Sequence, residues 1–217
     1  MYIAIEGVIG VGKTTLARLL QPAFEAGLLL EVFEENPFLS DFYSDRARYA
    51  FQTQIFFLLS RYHQQRHTVA ELLERHEHLF ADYTFEKDAL FAGINLRGDE
   101  LDMYHRVHEA LAEKIIPPHL VVYMKADTEV LMQRIAARDR SYERNMDPLY
   151  IDQLNTAYEQ FFANPQQRRS PVLVLDTNQL DYVRRPEDLA LVESRLRQAL
   201  MLTPFQPELP LNLPQEG

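Results

Sequence analysis

Short apolar runs alternate along the chain with longer segments in which apolar residues recur at helical spacing. Turn-forming and acidic residues flank the apolar runs, which is typical of short buried strands in a folded domain. The pattern predicts five strands, at Tyr2–Glu6, Leu28–Glu31, Leu79–Asp82, His119–Lys125 and Val172–Leu175.

Helical segments separate these strands, and several of them carry start or stop signals. Asp127 is a suitable N-cap, Asp147 precedes a first-turn proline, and a Pro-Pro pair after Ile116 ends another helix. The predicted helices are Lys13–Phe24, one long or two abutting helices over Asp45–His78, Glu100–Ile116, Asp127–Ala137, one beginning at Asp147, and Pro186–Leu202. Helical crossovers between strands imply an α/β fold, with a parallel sheet of about five strands and helices on both faces.

Composition places the chain among globular proteins with a single domain. Of its 217 residues, 47% are hydrophobic and 25% are charged, which excludes a wholly disordered chain. No apolar run approaches the ~18 residues that a membrane span needs, so we expect no membrane partner. We expect one domain over residues 1–202 and a flexible tail over residues 203–217, which contains Pro204, Pro207, Pro210 and Pro214.

The net charge and the cysteine content bear on which partners the protein can bind and on the compartment in which it works. Lys and Arg number 22 against 32 Asp and Glu, a net charge of −10, so we expect no nucleic-acid partner. The chain has no cysteine, which excludes disulfides and Cys-ligated zinc and is compatible with the cytoplasm, the location we expect. Because a strand opens at Tyr2, we expect no signal or transit peptide.

The segment from Gly7 to Thr14 reads G-V-I-G-V-G-K-T and fits the phosphate-loop pattern G-x-x-x-x-G-K-[ST]. A strand precedes it and a helix follows, so its backbone N–H groups and the helix dipole can surround phosphates. Lys13 would reach the β- and γ-phosphates, and the Thr14 hydroxyl would ligate Mg²⁺. We therefore predict a nucleoside triphosphate site formed by Gly7, Gly10, Gly12, Lys13, Thr14 and Thr15.

Further motifs favour a small-molecule kinase over other P-loop proteins. The D-x-x-G switch motif of GTPases is absent from the sequence. Arg134, Arg138 and Arg140 form R-x-x-x-R-x-R, a lid whose guanidinium groups can offset the charge of a moving phosphoryl group. Glu31 and Asp82 end two predicted strands, and the carboxyl ends of parallel strands face the ligand crevice. These acids could orient an acceptor hydroxyl and hold Mg²⁺.

Together these motifs resemble the deoxyribonucleoside kinase family, specifically its bacterial deoxyadenosine/deoxyguanosine kinase branch, from about Tyr2 to Leu202. The matching segments are I-A-I-E-G-V-I-G-V-G-K-T-T, E-V-F-E-E-N-P-F-L from Glu31, and D-Y-T-F-E-K-D-A-L-F-A from Asp82. The resemblance implies that Glu31 is the general base for the sugar 5′-hydroxyl and that Asp82 lies near Mg²⁺ and that hydroxyl. One departure is Tyr83, where many members have Arg, so the transfer site lacks one expected positive charge.

The resemblance also implies the contacts of the acceptor. Tyr43 and Glu143 match residues that contact the sugar 3′-hydroxyl, whereas Gln54, Arg61 and Asp88 match residues at or near the base. Arg134, Arg138 and Arg140 match the lid arginines, and Arg138 is expected at both the catalytic centre and the donor site. ATP, Mg²⁺ and a homodimer packed through the long helices are implied in the same way.

The expected reaction is ATP-dependent phosphorylation of a deoxyribonucleoside to its 5′-monophosphate in nucleotide salvage. A carboxylate at Asp88 accepts hydrogen bonds, which favours deoxyadenosine or deoxyguanosine, with deoxycytidine as a further candidate, over thymidine. Two alternatives stay open: a nucleoside monophosphate kinase of thymidylate kinase type, and a non-catalytic nucleotide-binding subunit of a kinase heterodimer. Tyr83 is the one sequence feature that favours the second alternative.

Overall fold

The computed structural model describes residues 1–202, except for the side chains of Glu34 and Gln167. The expected flexible tail, residues 203–217, lies outside the described residues.

Within the described residues, five strands form one sheet in the order β2-β3-β1-β4-β5, and every neighbouring pair is parallel. Their bounds are Tyr2–Glu6 (β1), Gly27–Leu29 (β2), Leu79–Ala81 (β3), Leu120–Lys125 (β4) and Val172–Asp176 (β5). The chain runs outward from β1 to β2 and later crosses to β4 on the other side, so the strand order switches beside β1. Ligands of open α/β sheets bind at such a switch point, beyond the carboxyl ends of the strands.

Within residues 1–202, seven α-helices lie between the strands and an eighth follows β5. Their bounds are Lys13–Phe24 (α1), Leu39–Ser44 (α2), Arg46–Arg75 (α3), Lys87–Asn95 (α4), Gly98–Ala112 (α5), Thr128–Arg138 (α6), Pro148–Ala163 (α7) and Pro186–Ala199 (α8).

Helices cover both faces of the sheet, as the strand sequences predict. All five residues of β1 are buried, although successive side chains of a strand point to opposite faces. Ile3 and Ile5 join the large apolar cluster on one face, whereas Tyr2 and Ala4 join a smaller cluster on the other. A strand buried on both faces is expected only in the interior of a covered parallel sheet.

Several element boundaries differ from the sequence prediction. β2 ends at Leu29 and β3 at Ala81, so Glu31 and Asp82 lie beyond their strands and not at the last strand positions. Helix α5 begins two residues before and ends four residues before its predicted bounds, and α8 ends at Ala199.

Of the two options predicted after Asp45, the structure has one long helix, and the Asp45 side chain caps its start by accepting a hydrogen bond from Arg48 N (3.2 Å). Helices α2 and α4 were not predicted, since at six and nine residues they are too short to show a helical period.

Candidate active site

The phosphate loop lies between β1 and α1, at the carboxyl edge of the sheet. Gly10 and Gly12 have φ angles of 88° and 103°, in the left-handed region that residues with a Cβ rarely adopt. A Cβ on Gly10 would lie 2.7 Å from Ile135 Cγ1, and one on Gly12 would collide with the Tyr182 hydroxyl. The loop therefore requires glycine for its backbone conformation and for close packing against its neighbours.

Lys13 and Thr14 begin α1 and carry the polar side chains of the loop. Lys13 Nζ donates to the carbonyls of Gly7 (2.7 Å) and Val8 (3.2 Å). Burial and then the positive charge of Lys87 lower the pKa of Lys13 to about 8. The Thr14 hydroxyl donates to the Asp82 carboxylate. A glycine cradle, an ammonium group and a paired hydroxyl and carboxylate fit a Mg²⁺-bound nucleoside triphosphate.

Asp82 follows β3 and connects the phosphate loop to the segment after β2. Its side chain is buried, and Oδ1 accepts a hydrogen bond from Glu31 N at 2.8 Å while Oδ2 accepts from Thr14. β2 and β3 are neighbours in the sheet, so the two acids that follow them lie side by side, as their positions in the sequence predict.

Two cations engage the Glu31 carboxylate. Arg61 Nε donates to Oε1 (3.0 Å), its terminal nitrogen also contacts Oε1, and Lys87 Nζ donates to Oε2 (2.6 Å). Burial raises the pKa of the Glu31 carboxyl, but the charges of Arg61 and Lys87 outweigh it and hold that pKa well below its usual range. Glu31 is therefore ionised throughout the physiological pH range.

Arg61 also forms an ion pair with Asp88, which is fully buried at 0% side-chain exposure. The guanidinium group lies over the Phe57 ring, 4.5 Å from its centroid. Arg61 thus stands between the two acids, and Asp88 lies behind it as seen from the cleft. The structure brings Asp88 and Arg61 into contact, and Arg61 and Gln54, but not Asp88, line the cleft.

A cleft of about 110 Å³ opens beside Glu31. Tyr43 and Glu143, 100 positions apart in the chain, both line it, so the convergence that a shared sugar contact requires is present. Burial, followed by the charge of Tyr150, raises the pKa of the Tyr43 hydroxyl well above its usual range, which keeps it a hydrogen-bond donor. Aromatic residues complete the wall of this acceptor cleft: Phe33, Phe57, Phe91 and Tyr142.

The three lid arginines divide between two places. Arg138 donates to both oxygens of Glu143 (2.7 and 2.6 Å), and Arg140 lies 3.7 Å from the same carboxylate and 3.9 Å from the Phe33 ring centroid. Both line the acceptor cleft. Arg134 does not, because its guanidinium donates to the Val11 carbonyl and to Thr177.

A second cleft, of about 610 Å³, lies on the other side of the phosphate loop. Thr15 and Arg134 line it, together with the segment after β5 between residues 178 and 184. Gly10 and Arg138 line both clefts. The geometry therefore provides two adjacent ligand sites that meet at the phosphate loop, as transfer between a donor and an acceptor requires.

Sequence reasoning missed Lys87 as a site residue. Lys87 follows Asp82 by five positions and is one of four lysines in the chain, but no pattern separates it from a surface lysine. Tyr83 also differs from expectation, since its side chain points away from the cleft. It is fully buried in the smaller apolar cluster, and its hydroxyl donates to Gln64 Oε1 at 2.5 Å.

Within residues 1–202 no group of three or more His, Asp or Glu side chains is placed to hold a metal ion. Across the same range no helix has the length and apolar character to cross a membrane.

A phosphate loop between two adjoining clefts, with the partly buried Glu31 carboxylate on the acceptor side, defines a P-loop kinase that acts on a small acceptor. The chain belongs to the deoxynucleoside kinase family, whose sequence model matches residues 3–200. The protein is therefore a kinase that phosphorylates a nucleoside. This confirms the family resemblance, the fold class and the reaction class that the motifs predict.

Individual relatives agree with this assignment. A deoxyguanosine kinase of Bacillus subtilis is 32% identical over 202 residues, covering 92% of this chain and 98% of that protein. A deoxyadenosine kinase of Dictyostelium discoideum is 31% identical, over 87% of this chain and 76% of the relative. The structure of a deoxyadenosine kinase from M. mycoides with bound dATP matches with a TM-score of 0.77 at 25% identity, over 91% of this chain and 100% of that one.

Proposed function

We propose that this kinase transfers the γ-phosphoryl group of ATP to the 5′-hydroxyl of a purine deoxyribonucleoside, with Glu31 as the base. One observation carries the proposal: the Glu31 carboxylate is held beside the phosphate loop through Asp82, whose side chain contacts both Glu31 N and Thr14. A hydroxyl bound to Glu31 would therefore face the phosphates that the loop holds.

Glu31 would act mainly by orienting the acceptor. A carboxylate whose pKa lies well below the usual range is a weak base, but phosphoryl transfer passes through a loose transition state with little demand for an early proton abstraction. Each carboxylate oxygen can accept more than one hydrogen bond, so Arg61 and Lys87 leave acceptor capacity for the 5′-hydroxyl. Glu31 receives the proton as the phosphorus–oxygen bond forms.

Positive side chains would stabilise the charge of the transferred group. Lys13 serves the donor phosphates, and Arg138 and Arg140 reach the acceptor side from the lid. We assign Arg134 to positioning, because its contacts with Val11 and Thr177 hold the phosphate loop against the end of β5. Tyr43 and Glu143 would bind the 3′-hydroxyl as donor and acceptor.

We propose that Mg²⁺ binds beside Thr14 and Asp82. The two residues supply hard oxygen donors in contact with each other, and Mg²⁺ in kinases commonly takes only one or two protein ligands besides phosphates and water. When bound, the ion supplies charge neutralisation at the phosphates.

The preference for a purine base is supported by two residues that line the cleft, Gln54 and Arg61, the second of which forms an ion pair with Asp88. Gln54 can donate and accept at one base edge, and Arg61 presents a cation held in a fixed orientation by two carboxylates. The related enzymes named for deoxyguanosine and deoxyadenosine support a purine acceptor. A relative named deoxyadenosine/deoxycytidine kinase keeps deoxycytidine as a second candidate.

The experiment supplies Mg·ATP with deoxyguanosine, deoxyadenosine, deoxycytidine, thymidine or dTMP in separate reactions and follows ADP and the 5′-phosphorylated product. We expect product from a purine deoxynucleoside, with kcat/KM for thymidine lower by at least about tenfold. Product from dTMP alone would instead indicate a monophosphate kinase. ATP binding with no transfer to any acceptor would indicate a non-catalytic subunit.

We also propose a single domain over residues 1–202 and a homodimer in the cytoplasm. The large apolar cluster supports one domain, since it contains residues from β1 to α8.

Leu59 on α3 and Met103 on α5 are 42% and 57% exposed on helices that pack together, which supports a dimer through the long helices. The absence of cysteine is compatible with a reducing compartment. Light scattering would measure the mass of the particle.

The titration of Lys13 predicts how donor binding depends on pH. With a pKa of about 8, Lys13 is charged at pH 7 and loses its proton as the pH rises to 9.5, so affinity for a triphosphate should fall by about tenfold over that range. Calorimetry with Mg²⁺ and a non-hydrolysable ATP analogue would measure it. In Lys13→Arg the cation stays ionised, so binding should vary much less with pH. Equal pH dependence in both proteins would contradict the prediction.

A further inference from the structure

Lys87 occupies an unusual position for a lysine. It is the first residue of α4, is only 7% exposed, and lines the acceptor cleft together with Lys13. Its ammonium group lies 2.6 Å from Glu31 Oε2 and 5.6 Å from the centroid of the Phe91 ring.

Local energetics oppose a cation at this place. The N-terminus of a helix carries partial positive charge, so lysine is disfavoured in the first turn of α4. Buried lysine is rare unless it is paired, and Lys87 also lines the same cleft as a second cation, Lys13. Glu31 is the acidic partner that offsets these costs. The buried ion pair between Lys87 and Glu31 is therefore a specific interaction, because a chance contact at the surface would leave the lysine exposed.

Lys87 and Arg61 divide the two oxygens of Glu31 between them. Arg61 binds Oε1 and Lys87 binds Oε2, so the carboxylate is held from both sides. The terminal torsion of glutamate is broad, and one cation alone would leave the group free to rotate about it. With both cations in place, the remaining acceptor directions of the carboxylate stay fixed.

Tyr83 lies four residues before Lys87 but does not face the cleft. Its ring is buried in the same small apolar cluster as Tyr2 and Leu79, and its hydroxyl donates to Gln64. Residue 83 therefore gives no charge to the cleft, whereas Lys87, four residues later, reaches Glu31.

We infer that Lys87 is a positioning residue for phosphoryl transfer, which holds the Glu31 carboxylate in the orientation that accepts the 5′-hydroxyl proton. This inference rests on the proposed role of Glu31. It concerns the chemical step, so the removal of Lys87 should affect kcat more than KM for the deoxynucleoside.

The test compares the full chain with Lys87→Met, Lys87→Arg and the control Lys114→Met, which alters an exposed lysine outside both clefts. Steady-state kinetics with Mg·ATP and the preferred deoxynucleoside should show a loss of kcat of about 10- to 100-fold in Lys87→Met, with KM changed by less than about threefold. Lys87→Arg should recover most of kcat, and Lys114→Met should match the wild type. Tyr83→Phe should keep kcat within about twofold, because the ring stays in its apolar cluster.

A second readout does not depend on activity. In protein labelled with ¹³C at the glutamate carboxyl carbons, the Glu31 signal, assigned with Glu31→Gln, should titrate well below the ordinary range in the wild type. In Lys87→Met its pKa should rise, because one of two neighbouring positive charges is lost. If methionine prevents folding, Lys87→Gln provides the same loss of charge.

The two readouts separate failure of this inference from failure of the proposed function. A wild-type protein that phosphorylates none of the deoxynucleosides refutes the proposed function, while the titration still tests whether Lys87 acts on Glu31. An unchanged Glu31 pKa in Lys87→Met overturns the inference, even if kcat falls. An unchanged kcat in that variant overturns it as well.

Discussion

Replacing Lys13 by methionine should lower kcat/KM for the deoxynucleoside by about 10³-fold at pH 7. Methionine keeps the length of the side chain but removes the ammonium group at the end of the phosphate loop, which lines the acceptor cleft. The lost interaction is one that strengthens as charge develops on the transferred group, so kcat should carry most of the effect. Steady-state kinetics at saturating Mg·ATP would measure it.

The same substitution should not weaken the fold. Burial and the nearby charge of Lys87 lower the pKa of Lys13, so its charged form opposes folding at pH 7. Removing that charge should leave the free energy of unfolding in urea equal to that of the wild type or above it. Lys114→Met controls for the change of side chain at an exposed place. A Lys13→Met protein that keeps more than about a tenth of the activity would contradict this assignment.

The acids at the edge of the sheet show what the sequence can predict. Glu31 and Asp82 each follow an apolar run, and parallel strands end at a common edge, so a shared site follows from the pattern alone. The exact end of β2 does not follow, because strand ends depend on pairing with β3 and not on hydropathy. The phosphate loop is predictable for a similar reason, since its glycines and its strand-to-helix context are local.

Contacts between distant segments could not be predicted from residues alone. Tyr43 and Glu143 meet because α2 packs near the short 3₁₀ helix at Ser141–Glu143, and the sequence contains no local signal of that packing. The family resemblance implied their shared role, but only the fold brings them together. The role of Lys87 could not be predicted from the sequence either. Its chemistry depends on burial beside Glu31, and a single lysine in a polar stretch carries no sign of burial.

The lid connects the two ligand sites through one side chain. Arg138 lines both the donor cleft and the acceptor cleft, and it forms an ion pair with the carboxylate of Glu143. If Glu143 binds the sugar 3′-hydroxyl, acceptor binding and the position of Arg138 near the donor phosphates are coupled through this ion pair. Under the proposed function, we expect this coupling to favour transfer when both sites are filled over hydrolysis of ATP alone.

Glu31→Gln should lower kcat by about 10³-fold and also destabilise the protein. Glutamine cannot take the proton of the 5′-hydroxyl, and it leaves the buried cations Arg61 and Lys87 without their shared anion, a loss worth about 3–5 kcal/mol when one partner of a buried pair is removed. Asp88 still pairs with Arg61, so the lower end of that range is expected. Kinetics and urea unfolding at pH 7 would measure both effects. Glu71→Gln is the control, since it breaks an exposed pair with Arg75.

The pH dependence of the unfolding free energy distinguishes loss of the Glu31 ion pairs from a change in packing as the cause of the destabilisation in Glu31→Gln. The folded state lowers the pKa of Glu31, so its stabilising contribution is complete above the pKa of the unfolded chain, ~4.3, and is lost as the pH falls towards the folded value. The difference in unfolding free energy between wild type and Glu31→Gln should therefore be largest near pH 7 and should shrink below about pH 4. A difference that stays constant from pH 7 to pH 3.5 would show that the charge of Glu31 does not stabilise the fold.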